Sequence, residues 1–152
     1  MDGGKRNSMT DQTRVHKPAE SYQKAIEAEI LIEHPGAYCE IHKSAVFKEM
    51  LKDRGLTNPS CMSKKPDIVI FDDVNRIMRV IEVKHHNNDI KTRGSADEKF
   101  ETALYKHIYY NDIANTNNYT ATYEFIANKR HDRPKTREAL LKQNTKITFI
   151  GD

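Results

Sequence analysis

Apolar positions recur with a helical period over residues 19–34, where Tyr22, Ala25, Ile26, Ile30 and Ile32 share one face at about 100° per residue. Glu29 and Glu33 fall inside that face and Glu27 lies well off it, an unusual placement for carboxylates. Pro35-Gly36 ends the segment. A second amphipathic helix is predicted over 42–54, with Val46, Phe47, Met50 and Leu51 as its stripe and Gly55 where a C-terminal cap would sit. Ala37 to Ile41 reads either as a strand or as the start of that helix. From Pro66 the period changes. The apolar run after Asp67 predicts a strand buried on both faces, Asp72 to Asn75 a turn, and Ile77 to Lys84 a second strand, together an antiparallel hairpin.

His85 to Gly94 is polar and reads as a loop. Ser95-Ala96-Asp97-Glu98 has the form of a capping box opening a helix that carries Phe100, Ala103, Leu104 and Ile108 on one side. Tyr119 to Ala127 reads as a third strand, Arg133 to Lys142 as a short helix with Pro134 in its first turn, and Lys146 to Ile150 as a last strand. The order of helix, helix, strand, strand, helix, strand, helix, strand predicts a mixed α/β domain, one sheet flanked by helices. Residues 1–17, rich in Gly, Asn, Ser, Thr and charge, read as a flexible N-terminal tail, leaving 18–152 as a single domain.

Composition narrows the class. Of the 152 residues 37% are hydrophobic and 31% charged, which gives a globular chain with a highly charged surface. The net charge of +3 does not by itself imply a nucleic-acid partner, but its distribution does bear on one. Basic residues concentrate at Lys64-Lys65, at Lys91 to Arg93 and from Lys129 to Lys142. No apolar run approaches the roughly 20 residues that span a bilayer, and the N-terminus has no hydrophobic signal core, so a protein of the cytoplasm or another intracellular space, without membrane contact, is expected. Cys39 and Cys61 form neither a metal-type spacing nor a disulfide framework and read as reduced thiols. His85 and His86, adjacent on an extended chain, point apart and do not read as a shared metal site.

The candidate chemistry lies in the hairpin. Glu82 and Lys84 point to one face of their strand, because side chains alternate. If the turn centres near Val74-Asn75, Asp67 falls opposite or nearly opposite Glu82, with Cβ atoms about 5 Å apart. Two carboxylates that close repel unless a positive charge lies between them. Oxygen ligands favour a hard ion, Mg²⁺ first and Mn²⁺ as its substitute. Asp67, Glu82 and the Val83 backbone carbonyl would hold it, and Lys84 would position a water or offset developing negative charge. Hydrolysis of a phosphodiester fits these parts. A surface ion-pair ladder uses the same residue types, but with one lysine it leaves surplus negative charge.

Pro66-Asp67, followed fifteen residues on by Glu82-Val83-Lys84, resembles the PD-(D/E)XK nuclease superfamily of restriction endonucleases, junction resolvases and repair nucleases. The resemblance implies a restriction endonuclease-like α/β core with the acid and the E-x-K on adjacent strands, Asp67 and Glu82 as metal ligands and Lys84 as the catalytic lysine. Gly94 to Lys99 looks like the loop-to-helix junction of restriction-type members. Many members add a carboxylate from the first helix, a place that Glu33 or Glu29 could fill. The helix after the motif carries Glu101-x-x-x-Tyr105 where a recombination-nuclease branch has Q-x-x-x-Y, so that branch is not assigned.

The expectation is thus a Mg²⁺-dependent restriction-type endodeoxyribonuclease that needs no small-molecule cofactor. It would cut both strands most simply as a homodimer. Lys64, Lys65, Arg93, Lys99, Lys129, Arg130 and Arg133 are its candidate phosphate contacts. A nuclease specific for junctions or recombination intermediates, and a catalytically silent nucleic-acid-binding module, are the alternatives.

Overall fold

The computed structural model describes residues 2–42, 46–59, 65–85 and 103–152, with side chains from 18 onward and, in the last segment, from 106 onward. The elements in chain order are α1 (Asp2–Glu33), β1 (Tyr38–Cys39), α2 (Phe47–Asp53), β2 (Ile68–Asp72), β3 (Ile77–Lys84), α3 (Ala103–Thr116), β4 (Thr120–Ala127), a 3₁₀ turn (Lys129–His131), α4 (Pro134–Lys142) and β5 (Lys146–Phe149). The helix at the N-terminus therefore starts well before the predicted 19–34. The tail expected at 1–17 lies outside the residues whose side chains are described, and the capping box at Ser95 and the cysteine at Cys61 lie outside the described residues altogether. No helix among the described residues is long and apolar enough to cross a membrane.

Among the described residues one five-stranded sheet runs in the order β1-β2-β3-β4-β5. β1, β2 and β3 pair antiparallel in succession, while β4 joins β3 and β5 joins β4 in parallel. Parallel neighbours need a crossover; the connections that contain α3 and α4 supply the two. The sheet is mixed and flanked by helices, as the sequence pattern predicts, and the undecided segment before α2 is strand β1.

The hairpin register depends on its turn. Asp72 Oδ1 accepts the N–H groups of Val74 (3.1 Å) and Asn75 (3.0 Å), and its Oδ2 accepts Asn75 Nδ2 (2.9 Å). An aspartate side chain that caps its own turn in this way is why Asp is favoured there. Arg76 closes the turn with φ 55°, a conformation costly for a residue with a Cβ. Its guanidinium holds it there by donating to the carbonyls of Asn117 (2.9 Å) and Asn118 (3.1 Å) and lying over the Tyr119 ring. Asp72 then pairs with Ile77 and Ile68 with Ile81.

The sheet is covered on both faces. Against one, α2 packs Phe47 and Leu51, α3 packs Tyr109, Tyr110, Ile113 and Ala114, and α4 packs Leu140, all onto Val69, Met78, Val80, Tyr123 and Phe125. Against the other, α1 packs Ile26, with Tyr22, Ile30 and Leu31 at its margin, onto Ile68, Ile70, Ile81, Val83 and Ile126. A strand buried on both sides is expected to be apolar throughout. Glu82, 1% exposed near the end of β3, breaks that rule.

Three predicted faces need correction. Ile32, Glu29 and Glu33 are exposed, while Glu27 is fully buried. The buried stripe is Gln23, Ile26, Glu27, Ile30 and Leu31, so the helix is turned by roughly 90° from the predicted face. Val46 is exposed because it precedes α2 rather than lying within it. Ile108 is 56% exposed, since α3 turns Tyr109, Tyr110 and Ile113 to the sheet instead.

Candidate active site

Two registers bring three carboxylates into one row. Tyr38 pairs with Val69 and Cys39 with Ile68, so Glu40 comes next, across from Asp67; Ile68 pairs with Ile81, so Asp67 lies across from Glu82. The Glu40 N–H donates to the Asp67 carbonyl at 2.9 Å, continuing the first ladder. The Val83 N–H donates to Asp67 Oδ2 at 2.8 Å, so the aspartate side chain caps the end of the second. By alternation Asp67 shares the side of Val69, and Glu82 and Lys84 share that of Val80, which is the α3 side of the sheet. The structure thus places Asp67, Glu82 and Lys84 together at one end of adjacent strands.

Their electrostatics are tense. Burial, then the Glu82 carboxylate beside it, raises the pKa of Asp67 from 3.8 to about 7, against the opposing pull of the Lys84 ammonium and the Val83 N–H. Burial, then Asp67, raises Glu40 as well, and Gln23 and Lys65 oppose it. Lys106 of α3 donates to Glu82 Oε1 at 3.2 Å. The buried hydroxyls of Tyr110 and Tyr123 stay protonated far above the usual phenol range, through burial first and the Glu82 carboxylate second.

Glu40 and Lys106 were missed in the sequence. Glu40 needed β1 to be read as a strand, after which the register places it. Lys106 was recoverable from helical period, since Lys106, Tyr110 and Ile113 are spaced i, i+4 and i+7. Lys106 offsets charge on Glu82, while the pKa of Asp67 stays raised despite the Lys84 ammonium.

The carboxylate that α1 buries is Glu27, and it serves the backbone. It accepts the N–H groups of Ile41 (3.1 Å) and His42 (3.0 Å), lies 3.0 Å from His42 Nδ1, and takes Gln23 Nε2 at 2.8 Å. The same Gln23 nitrogen reaches Glu40 Oε2 at 3.5 Å. Glu27 therefore fixes the chain just after β1, which carries Glu40. Glu29 and Glu33, the expected helix carboxylates, point to solvent.

Of the candidate phosphate contacts, Lys65 is exposed beside Glu40, and Lys129 and Arg130 are exposed on the turn that follows β4. Arg133 is half-buried. Lys64, Arg93 and Lys99, like His86, lie outside the described residues. His85, next to Lys84, lies tilted against Tyr22 with ring centroids 5.1 Å apart; burial and then the Arg130 charge lower its pKa. Lys84 pairs with Ala127, the last residue of β4, so Arg130 on the turn that follows lies at the carboxylate end of the sheet. A cavity of about 520 Å³ opens beside β4, lined by Arg79, His107, Asn111 and Glu124 among others, and none of Asp67, Glu82 and Lys84 lines it.

The donor set suits a hard cation. Asp67 and Glu82 supply carboxylate oxygens with too little neighbouring positive charge to keep Asp67 fully ionised, the imbalance a divalent ion would remove. The N–H and C=O of a strand residue point the same way, so the Val83 carbonyl faces the β2 side, as its N–H does. Among the described residues no three His, Cys, Asp or Glu side chains are grouped to hold a metal, so such a site would rest on this pair, a carbonyl and water. Compared with known proteins, the chain matches no protein-family model and no curated protein sequence.

Proposed function

We propose that this chain is a Mg²⁺-dependent DNA endonuclease of the PD-(D/E)XK superfamily, with Asp67, Glu82 and Lys84 as its catalytic centre and a restriction endonuclease-like core. The observation that carries the reading is the pairing of half-buried Asp67 with buried Glu82 on adjacent strands, with the Val83 N–H on Asp67 and the Lys84 ammonium beside it. Asp67, Glu82 and the Val83 carbonyl would hold Mg²⁺, with Mn²⁺ as substitute. Bound there, the ion supplies a polarised phosphate and a water of lowered pKa.

The remaining work falls to the protein. Lys84 sits where it orients the attacking water and offsets charge on the phosphate. Lys129 and Arg130, at the same end of the sheet, take flanking phosphates of the backbone. A restriction-type enzyme would use two copies, one per strand. Labelled duplex, branched DNA and RNA oligonucleotides incubated with Mg²⁺ test the substrate class. Cutting of plain duplex at fixed positions is expected. Cutting confined to branched DNA would make the protein a structure-specific nuclease, and cutting of RNA alone would overturn the DNA assignment.

One observation favours a second reading. Lys106 already balances Glu82 without a metal, as it would in a silent nucleic-acid-binding module. That module would bind DNA equally well in Mg²⁺ and in EDTA and would cut nothing.

A further inference from the structure

We infer that Lys106 is a built-in counter-ion of the carboxylate pair, which a divalent cation displaces and which then becomes a contact to the substrate phosphate. The inference rests on the nuclease reading and adds a residue to its site. Glu82 is almost wholly buried, and a buried carboxylate without a partner is costly. Lys106 Nζ, 3.2 Å from Oε1, is the partner provided.

The two lysines are not equivalent. Lys84 is fixed in β3, two residues from Glu82, and its charge acts on Asp67. Lys106 comes from α3, in another layer, and its side chain is one-third exposed against 2% for that of Glu82. An ammonium on a flexible four-carbon stem can swing away without disturbing the strand register. An ammonium and a divalent cation on the same carboxylate repel one another, so only one of them is held closely at a time. Once displaced, Lys106 adds a second positive charge on the side where Lys84 lies, facing the phosphate.

Competition gives a signature that a purely structural lysine lacks: removing it strengthens metal binding. Calorimetric titration of Mn²⁺ into the full chain should show Lys106→Gln and Lys106→Met binding about fivefold more tightly than the unaltered protein. Lys106→Arg, which keeps the charge, should bind no more tightly. Cleavage at saturating metal should nevertheless fall in the Gln and Met variants. In the unaltered protein, acylation of Lys106 read by peptide mass spectrometry should speed up when Mg²⁺ is added.

Equal or weaker Mn²⁺ binding by both neutral variants, or an acylation rate that ignores Mg²⁺, overturns the inference. The nuclease reading survives that result if Asp67→Asn still abolishes Mn²⁺ binding. If the unaltered protein binds no Mn²⁺ that Asp67→Asn removes, both fall.

Discussion

At the scale of single residues, Asp67 is the most informative group. Its pKa is higher folded than unfolded, so the folded protein holds the proton more tightly. The stabilisation this gives is complete below about pH 4 and is lost as the pH rises through about 7. The metal-free protein should therefore show a lower urea midpoint at about pH 8 than at about pH 5, and Asp67→Asn should flatten that difference. On the proposed reading Mg²⁺ binds the ionised pair, so it should raise the midpoint most at the higher pH. Lys84→Ala should reduce cleavage at least about 100-fold with little change in the urea midpoint, as expected for a charge that acts on the reacting phosphate. Asp67, Glu82 and Lys84 were legible in the sequence because an apolar hairpin surrounds them and alternation fixes their facing. Glu40 was not, since a two-residue strand leaves no period to read.

At the scale of elements, what mattered was which side of each helix met the sheet. The hairpin, β4, α4 and β5 follow from strand alternation, turn residues and a proline in the first turn, all local signals. The face of α1 did not, because Ala25 and Ile32 suggested one stripe and Ile26, Ile30 and Leu31 make another. The true stripe also includes a charged residue, which pattern reading places outside. The consequence is testable: Glu27→Gln should lower stability by about 1–3 kcal/mol in urea unfolding, since it weakens the acceptor for two backbone N–H groups in a buried setting. Glu29→Gln and Glu33→Gln, both exposed, should stay within about 0.5 kcal/mol. A loss at Glu33 as large as at Glu27 would show that the helix faces the sheet differently.

At the scale of the whole molecule, the sheet gathers its chemistry at one end. The ends of β1 and β3, the start of β2 and the turn after β4 meet there, so three acidic residues and at least three basic ones share a small region. A net charge of +3 spread evenly would attract DNA weakly; on the proposed reading the exposed Lys129 and Arg130 on the turn after β4 supply the local attraction. Replacing Lys129 and Arg130 together by Ala should weaken DNA binding similarly across sequences. It should also reduce the slope of log affinity against log salt by about two, measured by fluorescence anisotropy with Ca²⁺ in place of Mg²⁺. Cleavage of supercoiled plasmid decides whether the protein is the proposed metal-dependent nuclease centred on Asp67, Glu82 and Lys84. Nicked or linear product with Mg²⁺, absent with EDTA and absent with Lys84→Ala, is the expected result. Intact plasmid under every condition, with Mn²⁺ and with branched DNA included, would contradict it.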